Sequence, residues 1–159
     1  MIAKSLLLLL FLCSLSSWVN AEKGPRVLLL NSYHPQFSWT AKLTLGVQDA
    51  LAKEVPTENL HIEFMDERRF QKDSTITQNY IELLQHKYQH QLPDVVITSD
   101  DYAYYFLIAH GEKLFPGVPV VFCGVNVFKP DTLMGKPNFT GIKEGMEIEG
   151  NLDLIMDLQ

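Results

Sequence analysis

Cysteine is scarce in this chain of 159 residues, which contains only Cys13 and Cys123. Cys13 lies in an apolar N-terminal run that we expect to be removed, so Cys123 has no internal partner for a disulfide. Cys123 ends the apolar run 118–123, where a cysteine acts as a small hydrophobic filler. A reactive thiol, the alternative, needs exposure and electropositive surroundings. The sequence therefore argues against a scaffold held together by disulfides.

Positive charge is also scarce, because 13 Lys and Arg residues stand against 19 Asp and Glu residues and the formal net charge is −6. Proteins that bind nucleic acid need clustered Lys and Arg side chains to neutralise phosphates, and no such block occurs here. The composition, 47% hydrophobic and 20% charged, is typical of an ordinary globular protein. We therefore expect no nucleic-acid partner.

Sequence motifs of enzymes are missing: there is no G-x-S-x-G elbow, no glycine-rich phosphate loop and no dinucleotide fingerprint. Asp100 and Asp101 are adjacent, but neighbouring side chains at a helix start diverge and cannot share a proton. His86 and His90 have helical spacing but no third metal ligand. We expect no catalytic residue, no cofactor and no metal. The alternative is a secreted hydrolase that uses Ser99 or Asp100.

The N-terminus has the pattern of a secretory signal peptide over residues 1–21. Lys4 supplies a positive charge, residues 6–12 form a short apolar run, and small residues precede a cleavage position after Ala21. An uncleaved membrane anchor is the alternative, but serines interrupt the run before it reaches the roughly 20 apolar residues that a spanning helix needs. We therefore expect export to the periplasm, with residues 22–159 as one domain.

Strand and helix patterns alternate along residues 22–159. Helical spacing lies between the first four strands and begins again at residue 147, and alternation of this kind predicts a parallel sheet with helices on both faces. The predicted fold class is therefore α/β, a doubly wound parallel sheet. The predicted strands are residues 26–31, 60–65, 94–98, 118–123 and a weak fifth at 140–143.

Each helical segment has an apolar stripe, and we expect the stripes of the second and third helices to be buried. Asp73 or Ser74 is expected to cap the second helix. The stripes are Leu43, Val47 and Leu51 in the first helix; Ile76, Tyr80, Leu83 or Leu84, and Tyr88 in the second; Ala103, Phe106 or Leu107, His110 and Leu114 in the third; and Ile148, Leu152, Ile155 and Leu158 or Gln159 in the last.

Polar and aromatic side chains follow successive strands of the predicted sheet. In an open α/β sheet, ligands bind beyond the carboxyl ends of the strands, near the point where strand order reverses. Aromatic, hydroxyl, amide and carboxylate groups together suit a polar organic ligand. Taken singly, each residue is explained equally well as a helix cap or a turn residue. The predicted ligand-binding residues are Ser32, Tyr33, Trp39, Asp66, Ser99, Asp100 and Asn126.

Several of these segments resemble a known family. The sequence NSYH at residues 31–34, EFMD at 63–66, SDD at 99–101 and LFPGVPVVFCGVN at 114–126 are similar to the periplasmic sensor regions of bacterial membrane-bound signalling proteins, of the ABC-transporter-substrate-binding-like type. The resemblance extends from about residue 26 to residue 158. It implies a type I periplasmic-binding-protein fold, in which two α/β lobes close on a ligand, with this chain as the first lobe.

The resemblance further implies a second lobe, a transmembrane helix and a histidine kinase, PAS or diguanylate cyclase output module in the full-length protein. We expect that the chain continues beyond Gln159 and that this lobe is the small-molecule-binding input of a sensor. A stand-alone solute-binding protein of an ABC transporter is the alternative, and the same lobe would serve it. A second copy of the chain, forming a homodimer, is a further candidate partner. The resemblance does not identify the ligand.

Overall fold

The computed structural model of the chain describes residues 24–70, 73–145 and 148–158, so the predicted signal peptide lies outside the described residues. These residues form a parallel sheet of five strands in the order β2-β1-β3-β4-β5, flanked by helices. The predicted α/β class with a doubly wound parallel sheet is confirmed. The strands are β1 (Val27–Asn31), β2 (Leu60–Phe64), β3 (Val95–Ser99), β4 (Val120–Val125) and β5 (Phe139–Lys143), and the helices are α1 (Ser38–Leu51), α2 (Ser74–Tyr88), α3 (Asp100–Leu114) and α4 (Ile148–Asp157), with short 3-10 turns at Thr57–Asn59 and Pro130–Leu133.

The strand order reverses between β1 and β3. From β1 the chain moves outward to β2, and from β3 it moves the other way to β4 and β5. Asn31 pairs with Phe64 on one side and with Ser99 on the other, so the first three strands end at the same level. In open α/β sheets, ligands bind at such a switch point, beyond the carboxyl ends of the strands.

The main core lies between the sheet and the helices α2 and α3. Leu28 and Leu30 of β1 alternate in side-chain direction with Leu29, and all three are fully buried, as expected for a central strand covered on both faces. Leu84 of α2 and Leu107 of α3 contribute fully buried side chains to this core. Burying such a side chain contributes about 1.5–3 kcal/mol, so this layer holds the strand ends in place.

The structure corrects two details of the predicted helix stripes. Asp73 caps α2 as predicted, accepting from the backbone N–H groups of residues 75 and 76. In α2, however, Ile76 and Leu83 are exposed, and Ile81 is buried instead because that face of the helix meets α3. Helix α3 buries its predicted stripe except His110, which is half-buried, and it also buries Tyr104, since Phe122 and Phe128 pack on this second side.

The last strand and helix are much less covered than the rest. Strand β5 forms one edge of the sheet, and four of its five residues are exposed. Helix α4 forms where the helical spacing predicts it, and Ile148, Leu152, Ile155 and Leu158 are all exposed. Within residues 24–70, 73–145 and 148–158, no helix is both long and apolar enough to cross a membrane.

Candidate functional site

A buried hydrogen-bond network joins the ends of β1 and β3. The Ser32 hydroxyl donates to the Ser99 carbonyl over 2.6 Å and accepts from the Ala103 backbone N–H over 2.8 Å. The Ser99 hydroxyl donates to Asn31 Oδ1 over 2.9 Å. Ser32 and Ser99 have no exposed surface, so the structure does not bring these two predicted ligand-binding residues to the protein surface. They fix the position of the loops that follow the strands.

Asp100 is the first residue of α3 and has an unusual backbone conformation. Its φ is 69°, in the left-handed region that side chains other than glycine rarely adopt. Oδ1 accepts a hydrogen bond from Trp39 Nε1 over 2.9 Å. Oδ2 is buried and has no hydrogen-bond partner among the described residues. A buried carboxylate oxygen without a donor is costly, and such groups concentrate at functional sites.

The surroundings of Asp100 also alter its acidity. Burial raises its pKa to about 6, because removal from water disfavours the charged form. The hydrogen bond from Trp39 opposes this shift, and the negative charges of Glu144 and Asp101 add to it. The carboxyl group therefore titrates near neutral pH. Perturbed carboxyl groups in a cleft mark candidate binding sites.

Gly124 of β4 allows the close approach of that strand to Asp100. Its φ is 68°, and a Cβ atom placed on it would lie 3.2 Å from Asp100 Oδ1 and 3.3 Å from the Asp100 backbone nitrogen. Only glycine combines this backbone conformation with this little space. A left-handed residue directly after β3 thus faces one near the end of the adjacent strand β4.

Four of the seven predicted residues, namely Tyr33, Trp39, Asp100 and Asn126, line one pocket at the carboxyl edge of the sheet. The cavity has a volume of about 220 Å³. Burial and the Asp100 charge raise the pKa of Tyr33, so its hydroxyl keeps its proton at neutral pH. We name this cavity the switch-point pocket, and its full lining is Tyr33, Phe37, Trp39, Arg68, Asp100, Asn126 and Glu144.

Sequence reasoning missed three residues of the switch-point pocket. The Arg68 guanidinium carbon lies 5.1 Å from the centroid of the Tyr33 ring and 4.4 Å from that of Phe37, within cation–π range. Glu144 directly follows β5. Arg68 and Glu144 both come after strands, so the rule that selected the other residues, applied to every strand, would have found them.

Asp66 lies outside the switch-point pocket, although it was predicted as a binding residue. Its φ is 55°, and its carboxylate pairs with Arg69, with a distance of 2.6 Å between Oδ2 and the guanidinium nitrogen. A turn therefore accounts for Asp66. Asn126 lies at the pocket, where its amide donates to Asp101 Oδ2 over 3.3 Å. Asp101 Oδ1 also accepts from the Val127 backbone N–H, which orders the loop after β4.

Metal ligands do not cluster in the part of the chain that the structure describes, where no group of three His, Cys, Asp or Glu side chains could hold an ion. His86 and His90 are both exposed. Cys123 is half-buried and donates weakly to the Thr98 carbonyl, and burial raises its thiol pKa. The switch-point pocket is an aromatic and polar surface at the carboxyl edge of the sheet.

Comparison with family models, with curated proteins and with solved structures finds no match to this chain.

Proposed function

We propose that this chain is the first lobe of a periplasmic small-molecule-binding domain and that it forms the sensor input of a transmembrane signalling protein. The observation that carries the binding role is Asp100, a strained and buried carboxylate at the point where strand order reverses. Ligands of open α/β sheets bind at this point. The function class is therefore ligand binding.

The cost of holding Asp100 in this state supports a functional role. A left-handed conformation at a residue other than glycine costs about 1–3 kcal/mol, and burial of a carboxylate with one unpaired oxygen costs more. Asn or Gly at position 100 would relieve part of this cost. Strain of this kind is found where the surrounding structure holds a group ready for a ligand.

The size of the switch-point pocket supports a site with two walls. Its volume of about 220 Å³ is below the roughly 300–1,000 Å³ of pockets that enclose drug-sized ligands. A second lobe closing over this surface would supply the missing wall. Ligand that binds the closed form more tightly would then shift the equilibrium between open and closed forms, and the shift is the signal.

The sensor role rests on the resemblance to periplasmic sensor regions and on the predicted signal peptide. The reading frame that follows Gln159 tests it. A second α/β lobe followed by a spanning helix of about 20 apolar residues would support the sensor. A second lobe followed directly by a stop codon would contradict it and favour the stand-alone solute-binding protein.

Trp39 offers a direct assay of the binding role, because its indole N–H contacts Asp100 inside the switch-point pocket. The fluorescence of the purified chain is titrated with amino acids, amines, carboxylates and sugars. We expect at least one compound to change the Trp39 signal with saturation. Asp100→Asn should lower the affinity for that compound roughly tenfold or more, as expected for loss of a buried charged contact.

Asp49→Asn is the matched control, because Asp49 is an exposed carboxylate near the opposite end of α1. This control should bind with unchanged affinity. The proposed site would be overturned if both variants lowered the affinity equally, or if Asp100→Asn left saturable binding unchanged.

A further inference from the structure

We infer that a second cavity, adjoining the switch-point pocket, takes an ammonium group of the ligand, which makes the ligand an organic cation. This inference rests on the proposed function and names the chemical class of its ligand. The cavity has a volume of about 280 Å³. We name it the tyrosine cavity, and its lining is Tyr33, Glu67, Asp101, Tyr102 and Tyr105.

Three different segments bring the tyrosine cavity together at the carboxyl edge of the sheet. Tyr102 and Tyr105 are three residues apart on α3 and so share a face. Tyr33 follows β1, and Glu67 lies in the loop after β2. Tyr33 lines both cavities, so one ligand can reach from the switch-point pocket into the tyrosine cavity.

Contacts outside the tyrosine cavity hold the three rings in place. Tyr33 packs edge-on against Phe37 at 5.2 Å, and Tyr105 packs against Tyr104 at 5.0 Å. The Tyr105 hydroxyl donates to the Val127 carbonyl, and the Tyr102 hydroxyl is 3.3 Å from Thr77 Oγ1. Because two hydroxyls are already paired, these tyrosines offer ring surface rather than hydroxyl groups to a ligand.

Ring surfaces attract cations, and aromatic cages bind alkylammonium groups in this way. Glu67 adds a carboxylate that has no ion pair among the described residues. The positive end of α3 would favour an anion, but Asp100 and Asp101 occupy its first turn and offset that charge.

Tetramethylammonium and its neutral analogue 2,2-dimethylpropanol test the inference on the purified chain. Both are titrated by NMR, and we expect tetramethylammonium to bind roughly tenfold more tightly than the alcohol. Glu67→Gln should lower the affinity for tetramethylammonium roughly threefold by removing a nearby charge. Tyr102→Leu should lower this affinity roughly fivefold by removing one ring.

Glu112→Gln is the matched control, because this exposed carboxylate lies near the other end of α3 and should leave affinity for tetramethylammonium unchanged. Equal affinity for the alcohol and the cation would overturn the inference, as would cation binding that Glu67→Gln and Tyr102→Leu leave unchanged. Since Glu67 is only half-buried, its variant tests the inference even where the tyrosine variant fails to fold.

Failure of the inference and failure of the proposed function give different results. A compound that binds through Trp39 and Asp100, together with no selectivity for tetramethylammonium, would overturn the cation inference and leave the binding lobe standing. Cation binding that depends on Glu67, with no compound dependent on Asp100, would support the tyrosine cavity and contradict the proposed switch-point site.

Discussion

The two edges of the sheet differ in how their polar groups are satisfied. At the amino edge, where the strands begin, Asp94 accepts from the Arg26 backbone N–H over 2.8 Å and forms an ion pair with its guanidinium. Asn59 donates to the Gly24 carbonyl there, and Asn138 to the Val118 carbonyl. These contacts join consecutive loops and satisfy the polar groups that the strands leave free.

At the carboxyl edge, by contrast, Asp66 and Asp100 are the residues other than glycine with positive φ in the described part of the chain. Asp100 also carries a buried carboxylate oxygen without a partner, and the other buried side-chain oxygens without one among the described residues are hydroxyls, those of Thr40, Thr44, Tyr80 and Thr98. The polar groups of the amino edge are therefore paired, whereas the carboxyl edge carries backbone strain and a buried carboxylate oxygen without a donor. Unpaired buried polar groups and the strand order therefore indicate the same candidate ligand site.

The largest expected difference between the two edges is the pH dependence of stability that Asp100 causes at the carboxyl edge. Because the folded-state pKa of Asp100 is raised from near 3.9 to about 6, the folded chain binds this proton more tightly than the unfolded chain. The free energy of unfolding should therefore fall as pH rises from about 4 to about 6, by up to about 3 kcal/mol for the full shift. Urea unfolding of the wild type and Asp100→Asn at pH 4.5 and 7.5 measures it.

The wild type should lose stability relative to Asp100→Asn between these two pH values. Asp94→Asn supplies the opposite case, because hydrogen bonds from Arg26 lower the pKa of Asp94. Its contribution is present above the ordinary carboxyl pKa and is lost as pH falls through the lowered value. A wild-type curve parallel to that of Asp100→Asn would show that Asp100 is not buried in the way described.

Two glycines with matched backbone conformations give the next largest effect. Gly124 at the carboxyl edge has φ 68°, and Gly117 at the amino edge has φ 72°, but a Cβ on Gly117 would meet nothing within 4 Å. Gly117→Ala should cost about 1–2 kcal/mol from the left-handed conformation alone. Gly124→Ala should cost about 1 kcal/mol more, because its Cβ would crowd Asp100. Urea unfolding compares the variants, and equal costs would mean that β4 does not approach Asp100 closely.

The smallest effect is expected at the amino edge. Asp94→Asn should lower the free energy of unfolding by roughly 0.5 kcal/mol at neutral pH, because exposed ion pairs contribute little and the acceptor for the backbone N–H remains. Thermal unfolding at low and high salt measures it, since salt screens the pair. A loss above 2 kcal/mol would show that the amino edge also depends on a single costly group.

Much of the fold could be predicted from the sequence. The five strands and four helices lie where the hydrophobic patterns of the sequence predict them, because central strands consist of apolar runs and helices have apolar residues at helical spacing. The burial of Ile81 and Tyr104 could not be predicted, because helical periodicity identifies an apolar stripe but not the neighbouring element that covers it. The exposure of the α4 stripe could not be predicted for the same reason.

The candidate site could be predicted in part. The rule of strand ends brings Tyr33, Trp39, Asp100 and Asn126 together in the structure. Sequence could not show that Ser32 and Ser99 turn inward, because hydroxyl groups serve networks and ligands equally well. The positive φ of Asp100 could not be predicted either, since the local sequence does not distinguish a left-handed Asp from one that simply begins a helix.

The most direct test of the binding edge measures amide hydrogen exchange of the chain with and without the small molecule that changes the Trp39 fluorescence most. We predict slower exchange along the carboxyl edge, at residues 31–34, 66–68, 100–103 and 124–127, and unchanged exchange at the amino edge. Slower exchange at the amino edge, with the carboxyl edge unchanged, would contradict the assignment of the ligand site.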